Sequence, residues 1–263
     1  MFSDAVDGGV FSLSSSGTVS VVFEHRKGIG GISKHGSDGL IVSGRNIAFK
    51  PFDGSKTITL MEQDETTGIV GFNDITTDSV GRIYAGSLGA NPLAASEGLA
   101  LGKLFLIDID GLTTEVARDV GLSNGLAFSP DGSTLYHSDS LRGTVYQYPV
   151  NPDGTLGEKV PFTRVRKGAP DGLAVTEDGS VWVALAGGGH GVSVFNPDGM
   201  ESAFIEIPEP LCTSLCFGDD DLKTLFIVSG SKGTSSEKAG SVYRTRVEVA
   251  GMPVSDACTS LRH

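Results

Sequence analysis

The sequence predicts an all-β protein, a six-bladed β-propeller built from four-stranded blades. The first observation is a unit that recurs along the chain: strand, tight Asp-Gly turn, strand, glycine, strand, turn, strand. A repeat of roughly forty to fifty residues with four short strands is typical of a propeller. The second observation is an excess of glycine, 37 in 263 residues, which falls between the strands as tight turns require.

The repeat is clearest between residues 124 and 162. An apolar first strand begins at Asn124-Gly125, a turn follows at 130–132, and a second strand covers 134–138. A third strand at 143–149, a turn at 153–154 and a fourth strand at 159–162 complete the unit. The same order begins again at Pro170, which supports a repeat and not a coincidence of turns.

Counting strands gives six blades in one domain over residues 1–263. First strands are predicted at only five places, because 1–4 resembles the end of a second strand, so the first blade is predicted to lack its innermost strand. Either the chain begins downstream of its natural start or the propeller is unusual. The predicted first strands are 30–34, 73–77, 124–128, 171–175 and 213–217; the third strands 9–13, 46–49, 103–107, 144–148, 192–195 and 241–246; the fourth strands 18–23, 57–61, 113–117, 159–162, 203–207 and one around Val254.

Composition narrows the class of protein. A chain with 39% hydrophobic and 20% charged residues is typical of a globular protein with a substantial core. A net charge of −12 argues against nucleic acid as a partner and is compatible with cation binding. Three cysteines cannot all pair, and buried free thiols are the expected state, which favours a reducing compartment. Without an apolar run of about 18 residues or a basic-then-apolar leader, the chain is predicted to be cytoplasmic and not to bind membranes.

An insertion interrupts the repeat between the second and third strands of the third blade, over residues 88–102. It contains Asn91-Pro92 and a run of small residues over 94–101. One interpretation is a lid over the mouth of the propeller, and the other is a tolerated surface insertion. Under the first interpretation, Glu97 is a candidate substrate contact.

The starts of the first strands predict a functional site. We align the five strands on one apolar residue in each and compare the residues two positions earlier. Because side chains alternate along a strand, these five side chains point to the same face as the aligned apolar residues. Four of these five residues have an oxygen in the side chain. The apolar residues are Ile32, Ile75, Leu126, Leu173 and Leu215, and the aligned positions are Gly30, Asn73, Asn124, Asp171 and Thr213.

Asparagine and aspartate converging in the channel form an oxygen ligand set that suits Ca²⁺ or Mg²⁺. No soft ligand is present at these positions to favour zinc. The alternative is that Asn124-Gly125 and Asp171-Gly172 are turn pairs, like Asp131-Gly132 and Asp178-Gly179. Their position before an inner strand, and not after it, favours the site.

Three segments resemble the senescence-marker-protein/gluconolactonase/luciferin-regenerating-enzyme family of six-bladed propellers. Residues 71–82 are similar to its Asn-Asp segment, 122–136 to its Asn-Gly segment and 169–182 to its Pro-Asp-Gly segment. Residues 213–218 continue the pattern. The resemblance covers nearly the whole chain, and four motifs in order at blade spacing make it fairly specific.

The resemblance implies a hydrolase for sugar lactones or related small lactones, with one divalent cation in the channel. Calcium is the first expectation, and manganese, zinc or magnesium are alternatives. Asn124 and Asp171 are then metal ligands, with Asp171 also the general base. Asn73 is expected to contact the substrate or the metal's water shell, and Thr213 is a further candidate substrate contact.

The chain departs from the family pattern in two places. The family's remaining ligand, a glutamate at the start of the first inner strand, is absent, and Gly71 stands where many sugar lactonases have an arginine. The first departure keeps open a non-catalytic propeller that binds a ligand or a protein partner. The second leaves room for a less polar lactone. A condensing enzyme of strictosidine-synthase type is a further alternative, which the Asn and Asp ring disfavours.

Overall fold

The computed structural model describes residues 1–24, 26–90 and 100–261. Its strands form six antiparallel sheets, with neighbouring strands consecutive in sequence. The chain divides into two compact units, the first Met1–Ser123 with Val254–His263 and the second Asn124–Pro253. Each unit is described separately.

The first unit contains three sheets, and the first of these has only three strands. The strands of its three sheets are β1 Phe2–Ser3, β2 Val10–Leu13 and β3 Val19–Phe23; β4 Ile32–His35, β5 Gly39–Val42, β6 Ile47–Pro51 and β7 Ile58–Met61; and β8 Gly71–Thr77, β9 Ile83–Leu88, β10 Gly102–Ile107 and β11 Thr113–Val120.

The second unit contains the other three sheets, and the last of these also has three strands. Its strands are β12 Ser123–Phe128, whose first residue belongs to the first unit, β13 Thr134–Asp139, β14 Thr144–Pro149 and β15 Val160–Arg164; β16 Ala169–Val175, β17 Val181–Ala186, β18 Gly191–Phe195 and β19 Glu201–Glu206; and β20 Cys212–Gly218, β21 Thr224–Ser229 and β22 Val242–Arg246. The first strand of each of the last five sheets (β4, β8, β12, β16 and β20) is called its inner strand below.

The predicted fold class, a six-bladed β-propeller whose first blade lacks a strand, is confirmed. The fourth strand predicted around Val254 is wrong. This segment belongs to the first unit, where Ala257 forms a parallel bridge with His35 and the Cys258 amide donates to the Gly81 carbonyl. Its backbone groups are therefore paired outside the last sheet, which leaves that sheet with three strands.

Each unit has its own apolar core. In the first, Phe72 and Phe105 pack edge to face with ring centroids 6.4 Å apart, next to the buried Ile41. In the second, Trp182 packs edge to face on Phe217 at 5.3 Å. Strands whose side chains are buried on both faces, such as β5, account for the nearly continuous apolar runs in the sequence.

The Asp-Gly pairs outside the inner strands form the tight turns that the sequence predicts. Gly132 and Gly179 adopt φ of 70° and 81°, a region open to glycine at little cost. The preceding carboxylates accept backbone N–H bonds across the turn, Asp131 from Ser133 at 3.0 Å and Asp178 from Ser180 at 3.0 Å. These aspartates stabilise the turns.

The remaining predictions concern the cysteines, the membrane, the domain count and the location. All three cysteines are free thiols, as expected, but only Cys212 is buried, whereas Cys216 and Cys258 are exposed. Within the described residues, no helix is long and apolar enough to cross a membrane. The single domain over residues 1–263 and the cytoplasmic location stay predictions.

Candidate functional site

Asn124-Gly125 and Asp171-Gly172 are not turn pairs. They lie inside the inner strands β12 and β16, and neither glycine has a positive φ. A Cβ on Gly125 would lie 2.4 Å from the Leu173 nitrogen, and one on Gly172 would lie 2.4 Å from Ser214 Oγ. Glycine is required at both positions because the neighbouring inner strands approach too closely for a side chain, which excludes the turn interpretation.

β-Bulges occur at three of the predicted site positions. In the second unit, Asp171 and Gly172 together face one residue of β17, and β20 has one extra residue at Thr213. In the first unit, Asn73 and Asp74 together face one residue of β9. A bulge re-aims a side chain and is over-represented next to active sites, so the bulges at these positions agree with a site there. Register shifts also occur between outer strands, for example between β14 and β15.

Asn124 is oriented by a serine in the turn that follows β13, the second strand of its own sheet. Its Nδ2 donates to Ser140 Oγ at 2.8 Å, and Ser140 Oγ donates to the Pro170 carbonyl at 2.5 Å. The amide nitrogen is therefore engaged, so the carbonyl oxygen is the end of Asn124 suited to ligate a cation. The serine also ties Asn124 to the residue that precedes Asp171.

Asn73, in the first unit, is held in a comparable way. Its Nδ2 donates to the Ser123 carbonyl at 2.8 Å. A Cβ on Gly30 would lie 2.1 Å from Asn73 Oδ1, so the glycine at the aligned position leaves space for the asparagine. Gly30 therefore leaves room for the Asn73 side chain and has no side chain that could act as a ligand.

Sequence reasoning missed Asp74, the second residue of the β8 bulge. Burial raises the pKa of its carboxyl to about 7, although the Ile75 amide, which donates to Oδ1 at 2.8 Å, acts in the opposite direction. The equivalent positions of the other aligned strands are Gly31, Gly125, Gly172 and Ser214. The sequence did contain a signal: one residue after the aligned position, β8 has a carboxyl where the other aligned strands have glycine or serine.

The donor chemistry of the second unit suits a hard cation. Asn124 and Asp171 offer oxygen atoms, and burial chiefly, with the charge of Asp171, raises the pKa of the Cys212 thiol to about 12. In the described part of the chain, no group of three His, Cys, Asp or Glu residues is placed to hold a metal ion.

The predicted site residues fall in three places. The second unit holds Asn124, Asp171 and Thr213, each partly buried on an inner strand. The first unit holds Asn73, also partly buried, on β8. Glu97 lies outside the described residues.

These features define a propeller protein with oxygen-bearing side chains at bulges of its inner strands. The chain matches the family described as SMP-30/Gluconolactonase/LRE-like region over residues 1–231 and belongs to that family. The resemblance identified from the sequence motifs is therefore confirmed.

Two relatives and one solved structure illustrate the match. A 6-deoxy-6-sulfogluconolactonase of Pseudomonas putida is 38% identical over 189 residues, which are 68% of this chain and 63% of the relative. The regucalcin of Gallus gallus is 28% identical over 95% of this chain and 84% of its own. This chain thus spans less than two thirds of the first relative's length. A luciferin-regenerating enzyme structure shares the fold with a TM-score of 0.81 at 22% identity, covering 92% of this chain and 85% of its own.

Proposed function

We propose that this protein hydrolyses a lactone, with Asp171 as the general base and with a divalent cation held by Asn124 and Asp171. The observation that carries the proposal is the hydrogen-bonded link from Asn124 through Ser140 to the Pro170 carbonyl, directly before Asp171, which itself lies in a bulge of the neighbouring inner strand. Family membership supports the reaction type, since a relative is named a sugar lactonase. A sugar lactone or a related small lactone is the proposed substrate.

Lactone hydrolysis forms a bond between the carbonyl carbon and a water oxygen and breaks the bond to the ring oxygen. A cation at this site would supply polarisation of the lactone carbonyl and stabilisation of the oxyanion. Asp171 takes the proton from the attacking water and returns it to the ring oxygen as the ring opens. The product is an open-chain hydroxy acid.

The remaining residues bind and orient. The Ser140 hydroxyl fixes the amide of Asn124 so that its carbonyl oxygen is presented as a ligand. Thr213, at the bulge of the next inner strand, is a proposed substrate contact of the second unit. Asn73, and Glu97 under the lid interpretation, remain proposed substrate contacts as well.

The test is hydrolysis of a panel of small lactones, measured with chelator and again after Ca²⁺, Mn²⁺, Zn²⁺ or Mg²⁺ is restored. We expect activity to be lost on chelation and regained with metal. Asp171→Asn should lower kcat/KM by about 10²–10⁴-fold, the usual contribution of a general base. The matched control is Asp178→Asn, which changes an aspartate of a surface Asp-Gly turn and should leave kcat/KM unchanged. Full activity of Asp171→Asn in the presence of chelator contradicts the proposal.

A non-catalytic binding propeller is the second candidate. The observation that favours it is the single carboxylate of the proposed ligand pair, which predicts weak cation affinity. Under this alternative, a lactone or a sugar acid binds by calorimetry in the presence of each metal, but no ring opening is detected. Turnover that depends on Asp171 excludes it.

A further inference from the structure

A cleft in the second unit has no part in the proposed reaction. Its volume is about 430 Å³, within the range of about 300–1,000 Å³ that is usual for small-ligand sites. It is lined by Lys167, Phe204, Glu206 and the loop 188–190. Lys167 precedes β16 and the loop follows β17, at the end of the sheet where Ala169 pairs with Ala186.

Phe204 gives this cleft an aromatic surface. The residue is 38% exposed. A Cβ on Gly191 would lie 2.7 Å from Phe204 Cζ, so the ring lies on bare backbone, where a side chain would displace it. The Lys167 ammonium lies 5.2 Å from the centroid of the same ring, within the range of a cation–π contact. An exposed ring fixed in this way can pack against the apolar face of a ligand.

Both signs of charge line the cleft. Glu206 follows Phe204 by two residues on β19, so both side chains point to the same face of the strand. Within the part of the chain that the structure describes, Lys167, His190 and Glu206 form no ion pair. A simple anion would be repelled by Glu206 and a simple cation by Lys167. A neutral hydroxyl suits both, because it accepts from the ammonium and donates to the carboxylate.

The backbone around the cleft is fixed without a ligand. The Gly188 amide donates to the Pro210 carbonyl at 2.9 Å, and the Ile207 amide donates to the His190 carbonyl at 2.8 Å. His190 has a φ of 58°, in the left-handed region that costs a residue other than glycine about 1–2 kcal/mol. Glycine would meet the need of this turn at lower cost, so a histidine here indicates a use for its side chain.

We propose that Lys167, His190, Phe204 and Glu206 form a binding site for a neutral, polyhydroxylated ring, that is, a sugar unit. The C–H face of the sugar packs on Phe204, and its hydroxyls bond to the three polar side chains. The site uses no residue of the proposed reaction, so either proposal can fail without the other. The sugar unit has two sources: a free sugar, or a further unit of a sugar lactone that reacts at Asp171.

Saturation-transfer difference NMR tests the site with the neutral methyl glycosides of glucose, galactose and mannose. We expect transfer from the wild-type protein to the ring protons of at least one glycoside. Phe204→Ala and Glu206→Gln should each lower the transfer severalfold. His190→Gly should lower it without lowering the melting temperature, because glycine removes the backbone strain. Met200→Ala is the matched control and should leave the transfer unchanged, since it removes another exposed apolar side chain, directly before β19.

The absence of transfer to all three glycosides overturns the proposal, as does equal transfer from the wild type, Phe204→Ala and Glu206→Gln. Serine is included as a zwitterionic probe, and transfer to serine alone overturns the assignment to a sugar. Lys167→Gln replaces Phe204→Ala if circular dichroism shows that the latter does not fold, and it should lower the transfer severalfold as well.

Steady-state kinetics distinguish the two sources, in an arm that rests on the proposed lactone hydrolysis. Cellobionolactone has a further sugar unit and gluconolactone has none. A severalfold rise in KM of Phe204→Ala for cellobionolactone alone assigns the site to the substrate, and unchanged KM for both lactones assigns it to a free sugar. If the wild type hydrolyses neither lactone, the proposed function fails for these substrates and the NMR result stands by itself.

Discussion

Gly30 and Asn73 fit together so closely that a Cβ at position 30 would lie 2.1 Å from Asn73 Oδ1. The amide of Asn73 is fixed at its other end by the Ser123 carbonyl, to which Nδ2 donates at 2.8 Å. The asparagine is therefore held between an obligatory glycine and a backbone acceptor. Any side chain at position 30 must displace the amide that we propose contacts the substrate.

We expect Gly30→Ala to lower kcat/KM for the lactone by about 10²-fold, the usual effect of displacing a positioning group by about 1 Å. Gly30 does not have a positive φ, but its Cβ would also lie 2.9 Å from the Asn73 Cα and carbonyl carbon, so the backbone of β8 must shift as well and some stability is lost. Steady-state kinetics and circular dichroism of the variant check both statements. Gly36→Ala is the control, because the nearest atoms to its Cβ would be 3.8 Å away. Wild-type kinetics for Gly30→Ala would show that Asn73 does not need its present position.

Ser140→Ala removes the hydroxyl that joins Asn124 to the Pro170 carbonyl. Both partners then lose a hydrogen bond in a partly buried place, which typically costs about 1–3 kcal/mol of stability. We expect the midpoint of urea unfolding to fall and cation affinity, measured by calorimetry, to fall with it. The control is Ser133→Ala, whose hydroxyl contacts only the exposed turn residue Asp131. A normal cation affinity in Ser140→Ala contradicts the orienting role of this serine.

The sequence could predict six blades because alternating apolar residues and Asp-Gly turns are local features. Asn124 and Asp171 could be proposed as site residues because equivalent positions in a repeat keep the same place in each blade, and their role stays a prediction. The bulges could not be predicted, because a bulge depends on the register of the partner strand. The course of the segment 254–261 was missed for a related reason: its partners, His35 and Gly81, are far away in sequence.

His137 should make the second unit sensitive to acid. Burial lowers the pKa of its imidazole to about 4, from about 6.5 in an unfolded chain, although the charge of Asp139 opposes the shift. Between these values the unfolded state binds more protons, so the free energy of unfolding decreases by up to about 1.4 kcal/mol for each pH unit of acidification. We expect His137→Phe to lose less stability over this range. Urea unfolding at a series of pH values, with wild type as reference, measures the difference, and identical slopes would refute the assignment.

Asp74 should make the first unit less stable as the pH rises, which is opposite to the effect of His137. Burial raises the pKa of its carboxyl from 3.8 to about 7, so between these values the folded state binds the extra proton. Stability contributed by the neutral carboxyl is complete below pH of about 4 and is lost as the pH rises toward about 7, by up to about 1.4 kcal/mol for each pH unit. Asp74→Asn keeps the shape of the side chain without the charge, so its unfolding free energy should fall less over this range. Asp110→Asn, which changes an exposed turn aspartate, should follow the wild type. A pH dependence of Asp74→Asn equal to that of the control would show that Asp74 titrates as an ordinary exposed carboxylate.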